Sequence, residues 1–93
     1  MKLSYYYIYE YEIFYIKLID DEYEYREDIE IAEYLGMTKF DYQNILLKCG
    51  AFYTPPYCKL TMEKECFFKN EKDLKKAIEA LEPYFVMIKL MGD

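Results

Sequence analysis

The chain contains no histidine and no tryptophan, and its three cysteines, Cys49, Cys58 and Cys66, have no CxxC spacing. These facts remove most familiar reaction chemistry. Without an imidazole there is no Ser–His or Cys–His couple and no histidine-ligated zinc or haem. No serine sits in a nucleophile-elbow pattern. Three thiolates and a carboxylate can hold zinc, but gaps of eight and seven residues between the cysteines match no zinc knuckle. The expectation is therefore a non-enzyme with no catalytic residue, no metal and no cofactor. An odd cysteine count also argues against a secreted disulfide framework and for reduced thiols.

The abundant chemistry is carboxylate chemistry, and it is unevenly placed. Residues 1–33 hold ten acids and three bases, whereas 34–93 hold eight acids and nine bases. The net charge of −6 therefore resides in the first third. Its dense part is Asp20, Asp21, Glu22, Glu24, Glu27, Asp28, Glu30 and Glu33, with Tyr23 and Tyr25 among them. Such a surface repels phosphate and steers toward a basic protein surface. Tyrosine is large, rigid and amphipathic, which suits it to the centre of an interface. The plainer alternative is that the acids solvate a loop and helix face while the tyrosines fill a core. Eight tyrosines in the first 25 residues strain that alternative, because each buried hydroxyl needs a partner. Asp20, Asp21, Glu22, Tyr23, Glu24, Tyr25, Glu27, Asp28, Glu30 and Glu33 are accordingly the candidate partner-binding residues.

Elements that could position them follow from the pattern. Residues 3–19 are aromatic and β-branched, favouring strand. Read as one strand, they place Leu3, Tyr5, Tyr7, Tyr9, Tyr11, Ile13, Tyr15 and Ile19 on one face. Ser4, Tyr6, Ile8, Glu10, Glu12, Phe14, Ile16 and Leu18 fall on the other. Seventeen residues is long for a strand, so a hairpin broken near Glu10–Glu12 and one long bent strand are both open. Residues 20–28 read as an acidic loop. A first helix spans about 28–35, with Asp28 as its N-cap and Gly36 ending it. A second runs about 39–49, capped by Thr38 with Asp41 three residues on, and closed by Gly50.

Residues 51–57 carry two prolines and read as a stiff loop. Strands at about 58–62 and 65–69 form a hairpin that sets Cys58 opposite Cys66. Asn70 caps a third helix at about 71–82, whose stripe is Leu74, Ala77, Ile78 and Leu81; Pro83 ends it. Residues 84–90 have strand propensity, with a short helix as the alternative. The fold class is α+β in one domain, 1–93: a small single-layer antiparallel sheet against three helices. The sheet comprises the N-terminal strands, the 58–69 hairpin and a C-terminal strand. No run of about 18 apolar residues is present, so no membrane span is expected. Met1-Lys2-Leu3-Ser4 leads into tyrosines without a signal-peptide h-region, which makes the cytoplasm the expected location.

Two resemblances follow from these residues. Asp28 to Ile45 resembles a helix-turn-helix, with Ala32 at the small position, Gly36 in the turn, and Ile31, Tyr42 and Ile45 at packing positions. That resemblance implies a DNA-binding regulator read by Lys39, Gln43, Asn44 and Lys48. Residues 28–48 hold four acids and two lysines, the wrong balance for phosphate, so direct nucleic-acid binding is disfavoured. The small size, acidity and lysine-heavy composition resemble accessory proteins of phages and mobile elements, including anti-CRISPR proteins and other DNA mimics. This second resemblance implies a stoichiometric inhibitor that occupies the nucleic-acid-binding surface of a host defence protein, in the host cytoplasm. Homodimerisation through the tyrosine-rich strand edge is a further reading.

Overall fold

The computed structural model describes residues 2–53 and 65–91, the last seven by backbone alone. It is an α+β fold. The N-terminal aromatic run is a hairpin of β1 (Lys2–Ile8) and β2 (Ile13–Asp20), turning through residues 9–12 with Glu12 at φ 52°. Tyr5 faces Ile16 and Tyr7 faces Phe14 across the ladder. The turn therefore reverses the parity expected of a continuous strand. Odd positions of β1 share a face with even positions of β2.

One face carries Leu3, Tyr5, Phe14, Ile16 and Leu18 into the main core. The opposite face gathers Tyr6, Ile8, Tyr11, Ile13, Tyr15 and Phe67 into a smaller cluster. Rings pair across the strands, Tyr6 with Tyr15 at 5.4 Å and Tyr7 with Phe14 at 4.7 Å. Such cross-strand aromatic pairs each contribute up to about 1 kcal/mol.

The expected acidic loop contains a third strand, β3 (Tyr23–Tyr25), paired antiparallel with β2. Asp21 and Glu22 alone connect them, and Asp21 takes φ 53°, a conformation that aspartate tolerates better than most residues. Local composition hid this strand because its pairing partner, β2, supplies the hydrogen bonds.

Two helices follow, α1 (Asp28–Tyr34) and α2 (Lys39–Lys48). Each ends in the same way. Gly36, at φ 75°, donates to Glu33 while Met37 donates to Ala32. Gly50, at φ 107°, donates to Leu47 while Ala51 donates to Leu46. Both are left-handed caps that satisfy the last carbonyls. Thr38 caps α2, its hydroxyl accepting from the Asp41 N–H at 3.1 Å.

The N-cap expectation for α1 is corrected. Glu27 holds the cap position without a side-chain bond, and Asp28 is the first helical residue.

Within the expected 51–57 loop, Phe52–Tyr53 form β4, which pairs with β5 (Cys66–Phe67). The adjoining Phe68 exchanges two backbone hydrogen bonds with Phe14, at 2.8 and 2.9 Å. Hence β2 carries β1 along one edge, with β3 and the β5 segment sharing the other. The expected strand at 58–62, and with it the Cys58–Cys66 pairing, lies outside the described residues.

The C-terminal expectation is also corrected. Helix α3 runs Glu71–Met91, through Pro83, and replaces both the 71–82 helix end and the 84–90 strand. A proline removes one hydrogen bond from a helix interior, but it need not stop the helix. The sequence itself keeps a helical spacing across it, at Leu74, Ile78, Leu81, Phe85 and Ile88. Asn70 and Asp73 cap the helix start reciprocally, at 2.8 and 3.1 Å. Leu74, Ala77 and Leu81 are fully buried against the sheet. Burying each leucine contributes about 1.5–3 kcal/mol.

Candidate acidic and aromatic interface

The β2–β3 hairpin and α1 gather the acidic segment on the surface. Asp21, Glu22, Tyr23, Glu24, Glu27, Glu30 and Glu33 are exposed, and Tyr23 is 71% accessible. A shallow depression at the hairpin end is lined by Asp20, Asp21, Glu22, Tyr23 and Tyr25. Tyr25 is half-buried between two other rings, 6.5 Å from Tyr23 and 5.4 Å from Tyr34. The Tyr34 hydroxyl donates to the Asp20 carboxylate, and that bond pushes the phenol up to about 12. The Tyr34–Asp20 bond ties α1 to the end of β2.

Glu24 engages two cations, Arg26 and Lys17. Arg26 donates to its Oε2 at 3.0 Å and Lys17 to its Oε1 at 3.1 Å. These contacts, Arg26 first, hold the Glu24 carboxyl below its ordinary range. Arg26 also lies 5.0 Å over the Tyr6 ring. Glu24 is thus locally neutralised. Asp21, Glu22, Glu27, Glu30 and Glu33 form no ion pair among the described residues.

Asp28 departs from the expected surface set. It is only 3% exposed, and its Oδ2 accepts from Gln43 Nε2 at 2.9 Å and the Cys66 N–H at 2.8 Å. Its own N–H donates to Glu65 Oε2 at 2.8 Å, and Glu65 is also 3% exposed. A helix-start donor that needs a cap finds it 37 residues away. Burial raises the Asp28 carboxyl, opposed by the bond from Gln43. Burial and then the Asp28 charge push Glu65 up to about 8. Tyr42 is fully buried nearby, its hydroxyl without a hydrogen-bond partner among the described residues, and burial holds it un-ionised. Sequence reasoning missed this polar cluster. An aspartate before an amphipathic run reads as a local cap, and a lone glutamate beside a strand carries no signal of burial.

The same cluster corrects the DNA-reading set. Gln43 is 9% exposed and its amide is committed to Asp28, so it cannot reach a base edge. Lys39 is half-buried and lowers both buried carboxyls electrostatically. Asn44 and Lys48 line a shallow groove with Met37, Asp41, Ile45 and Tyr84. Elsewhere, the β1–β2 end exposes Tyr9 beside Tyr7 and Phe14, with Glu12 and Lys69 at the same depression.

Among the described residues, no group of three or more cysteines, aspartates and glutamates is placed to hold a metal ion. No helix there is long and apolar enough to cross a membrane. Compared with known families, curated proteins and solved structures, the chain matches none.

Proposed function

We propose that the chain is a non-enzymatic protein-binding module. Its docking face comprises the Asp20–Tyr23 end of the β2–β3 hairpin and the exposed acids of α1. The partner is a protein with a basic surface, of the kind that holds nucleic acid. In this reading the chain acts as a stoichiometric inhibitor of a host defence protein, encoded by a phage or mobile element.

One observation supports this reading above the others. Asp21, Glu22, Glu27, Glu30 and Glu33 are exposed without ion pairs among the described residues, while Tyr23 stands 71% accessible among them. Uncompensated like charges repel one another in the free protein and are relieved by a basic partner. An exposed tyrosine offers contact area at low entropy cost. Asp28 leaves the docking set because it is buried, and Glu24 contributes little because Lys17 and Arg26 already neutralise it.

The test uses host lysate and an immobilised chain, with Asp21→Asn, Glu22→Gln, Glu27→Gln, Glu30→Gln and Glu33→Gln combined as the control. A basic protein captured by the parent, released by salt and not captured by the amide variant, supports the reading. Its association should slow in the variant more than its dissociation quickens, since rim charges act by steering. Equal capture by both proteins, or binding of the parent to duplex DNA at low salt, overturns it.

A further inference from the structure

The acidic face lies on the β3 side of β2, and the opposite edge of the sheet takes no part in it. The strand order is β1–β2–β3, so β1 ends the sheet on one side. Among the described residues it pairs with β2 alone. Which of its backbone groups point outward follows from Phe14. That residue exchanges both of its backbone hydrogen bonds with Phe68, on the side of β2 away from β1. Its pairing with Tyr7 is therefore of the kind that makes no backbone bonds. The ladder alternates and its register is unbroken, so Tyr5 opposite Ile16 and Leu3 opposite Leu18 are of the same kind. The N–H and C=O groups of Leu3, Tyr5 and Tyr7 consequently face away from β2. None of these backbone groups has a hydrogen-bond partner among the described residues.

Natural sheets blunt their edges with short strands, prolines, bulges or central charges. The strands β3 and β4 are short, at three and two residues. The strand β1 has seven residues, with no proline, no bulge and no acid, and its one charge, Lys2, sits at the end. In a chain of net charge −6, two copies can therefore meet along this edge without setting carboxylate against carboxylate. The spacing is also self-complementary. Turned about a two-fold axis at Tyr5, a second β1 sets Tyr5 opposite Tyr5, and Leu3 opposite Tyr7 at both ends. All the outward residues then face one another, and three pairs of two bonds each give six backbone hydrogen bonds. A shifted register satisfies fewer. The same pairing lays Leu3 of one copy beside the Tyr7 ring of the other, which is 39% exposed in the single chain.

We propose that the chain forms a two-fold symmetric dimer by antiparallel pairing of its β1 edges, centred on Tyr5. The two three-stranded sheets become one continuous sheet with a β3 at each end. This pairing is independent of any basic partner. Because β1 and β3 flank β2 on opposite sides, it leaves the β2–β3 hairpin end of each copy open.

A contact made along one strand edge is small, under about 1,200 Å² in total, so it should dissociate on dilution. Sedimentation equilibrium and amide exchange followed by NMR, both on the intact chain over a dilution series, test it. At the highest concentration the mass should approach twice the 11.4 kDa of the chain, and the Leu3, Tyr5 and Tyr7 amides should be protected. Dilution should return the mass to that of one chain and remove that protection. The Ser4 and Ile8 amides bond to β2 within one copy and should keep theirs. Tyr7→Pro removes an outward N–H and leaves the β2 ladder intact, so the variant should retain its far-ultraviolet circular dichroism and stay monomeric throughout. Edge amides unprotected at every concentration overturn the proposal. Protection that survives dilution to the monomer also overturns it, because the chain would then cover its own edge. A dimer that persists in folded Tyr7→Pro overturns it as well, being held by another surface. Should Tyr7→Pro fail to fold, the dilution series on the parent decides alone.

Discussion

Replacing Asp28 with alanine separates a structural carboxylate from an exposed one. In the folded chain this side chain is the acceptor for Gln43 Nε2 and for the Cys66 N–H, with Gln43 9% and Cys66 2% exposed. Alanine leaves both donors buried and unmatched, at about 1–3 kcal/mol each. Against this, the buried charge and its desolvation disappear, which returns part of the loss. The net expectation is a destabilisation of roughly 2–4 kcal/mol. A chain of this length has about 5–14 kcal/mol in total, so a large share of stability is lost. With a urea m-value of about 1 kcal/mol/M, the midpoint should drop by roughly 2–4 M. Equilibrium urea unfolding followed by far-ultraviolet circular dichroism measures this directly. Glu30→Ala, two residues along the same helix but exposed, is the internal control and should stay within about 0.5 kcal/mol of the parent. Asp28→Ala indistinguishable from Glu30→Ala would refute the buried cluster.

Four further outcomes follow from particular contacts. Thr38→Ala removes the hydroxyl that caps α2 and should lower stability by about 1 kcal/mol in the same assay. Gly50→Ala should destabilise by more than about 1 kcal/mol: φ is 107° there, and a Cβ would meet Asp73 Oδ2 at 2.6 Å. Tyr42→Phe deletes a buried hydroxyl that has no partner among the described residues, so stability should be unchanged or slightly higher, unlike the loss usual for a hydrogen-bonded tyrosine. Pro83→Ala should raise the thermal midpoint, because proline in a helix interior is up to about 3 kcal/mol worse than alanine. A helix that stopped before residue 83 would show no such gain.

Much of the local architecture was legible from residue order. The helix ends at Gly36, Thr38, Gly50 and Asn70 stand where the sequence places them, because capping is chemistry between residues a few positions apart. The break in the N-terminal aromatic run was legible as one of two options, from strand length alone. Of the proposed docking set, the exposed acids Asp21, Glu22, Glu27, Glu30 and Glu33 and the exposed Tyr23 could be nominated from charge density and tyrosine content.

The remainder depended on contacts between distant parts of the chain. The turn parity that sends Phe14, Ile16 and Leu18 into the main core depends on pairing register, which composition does not encode. Asp28 and Gln43 look like surface residues on amphipathic helices. They are interior and bonded to each other, and the β5 segment, nearly forty residues beyond Asp28, donates the Cys66 N–H to the same carboxylate. Pro83 reads locally as a terminator, yet α3 continues through it. Capping and turn chemistry are fixed within a few residues, so the sequence by itself determined the α1–α2 boundary at Gly36–Thr38, the end of α2 at Gly50 and the start of α3 at Asn70. Burial of a polar side chain is decided by what the rest of the chain brings to it, and only the tertiary structure could bring Asp28, Gln43 and Glu65 together in the interior.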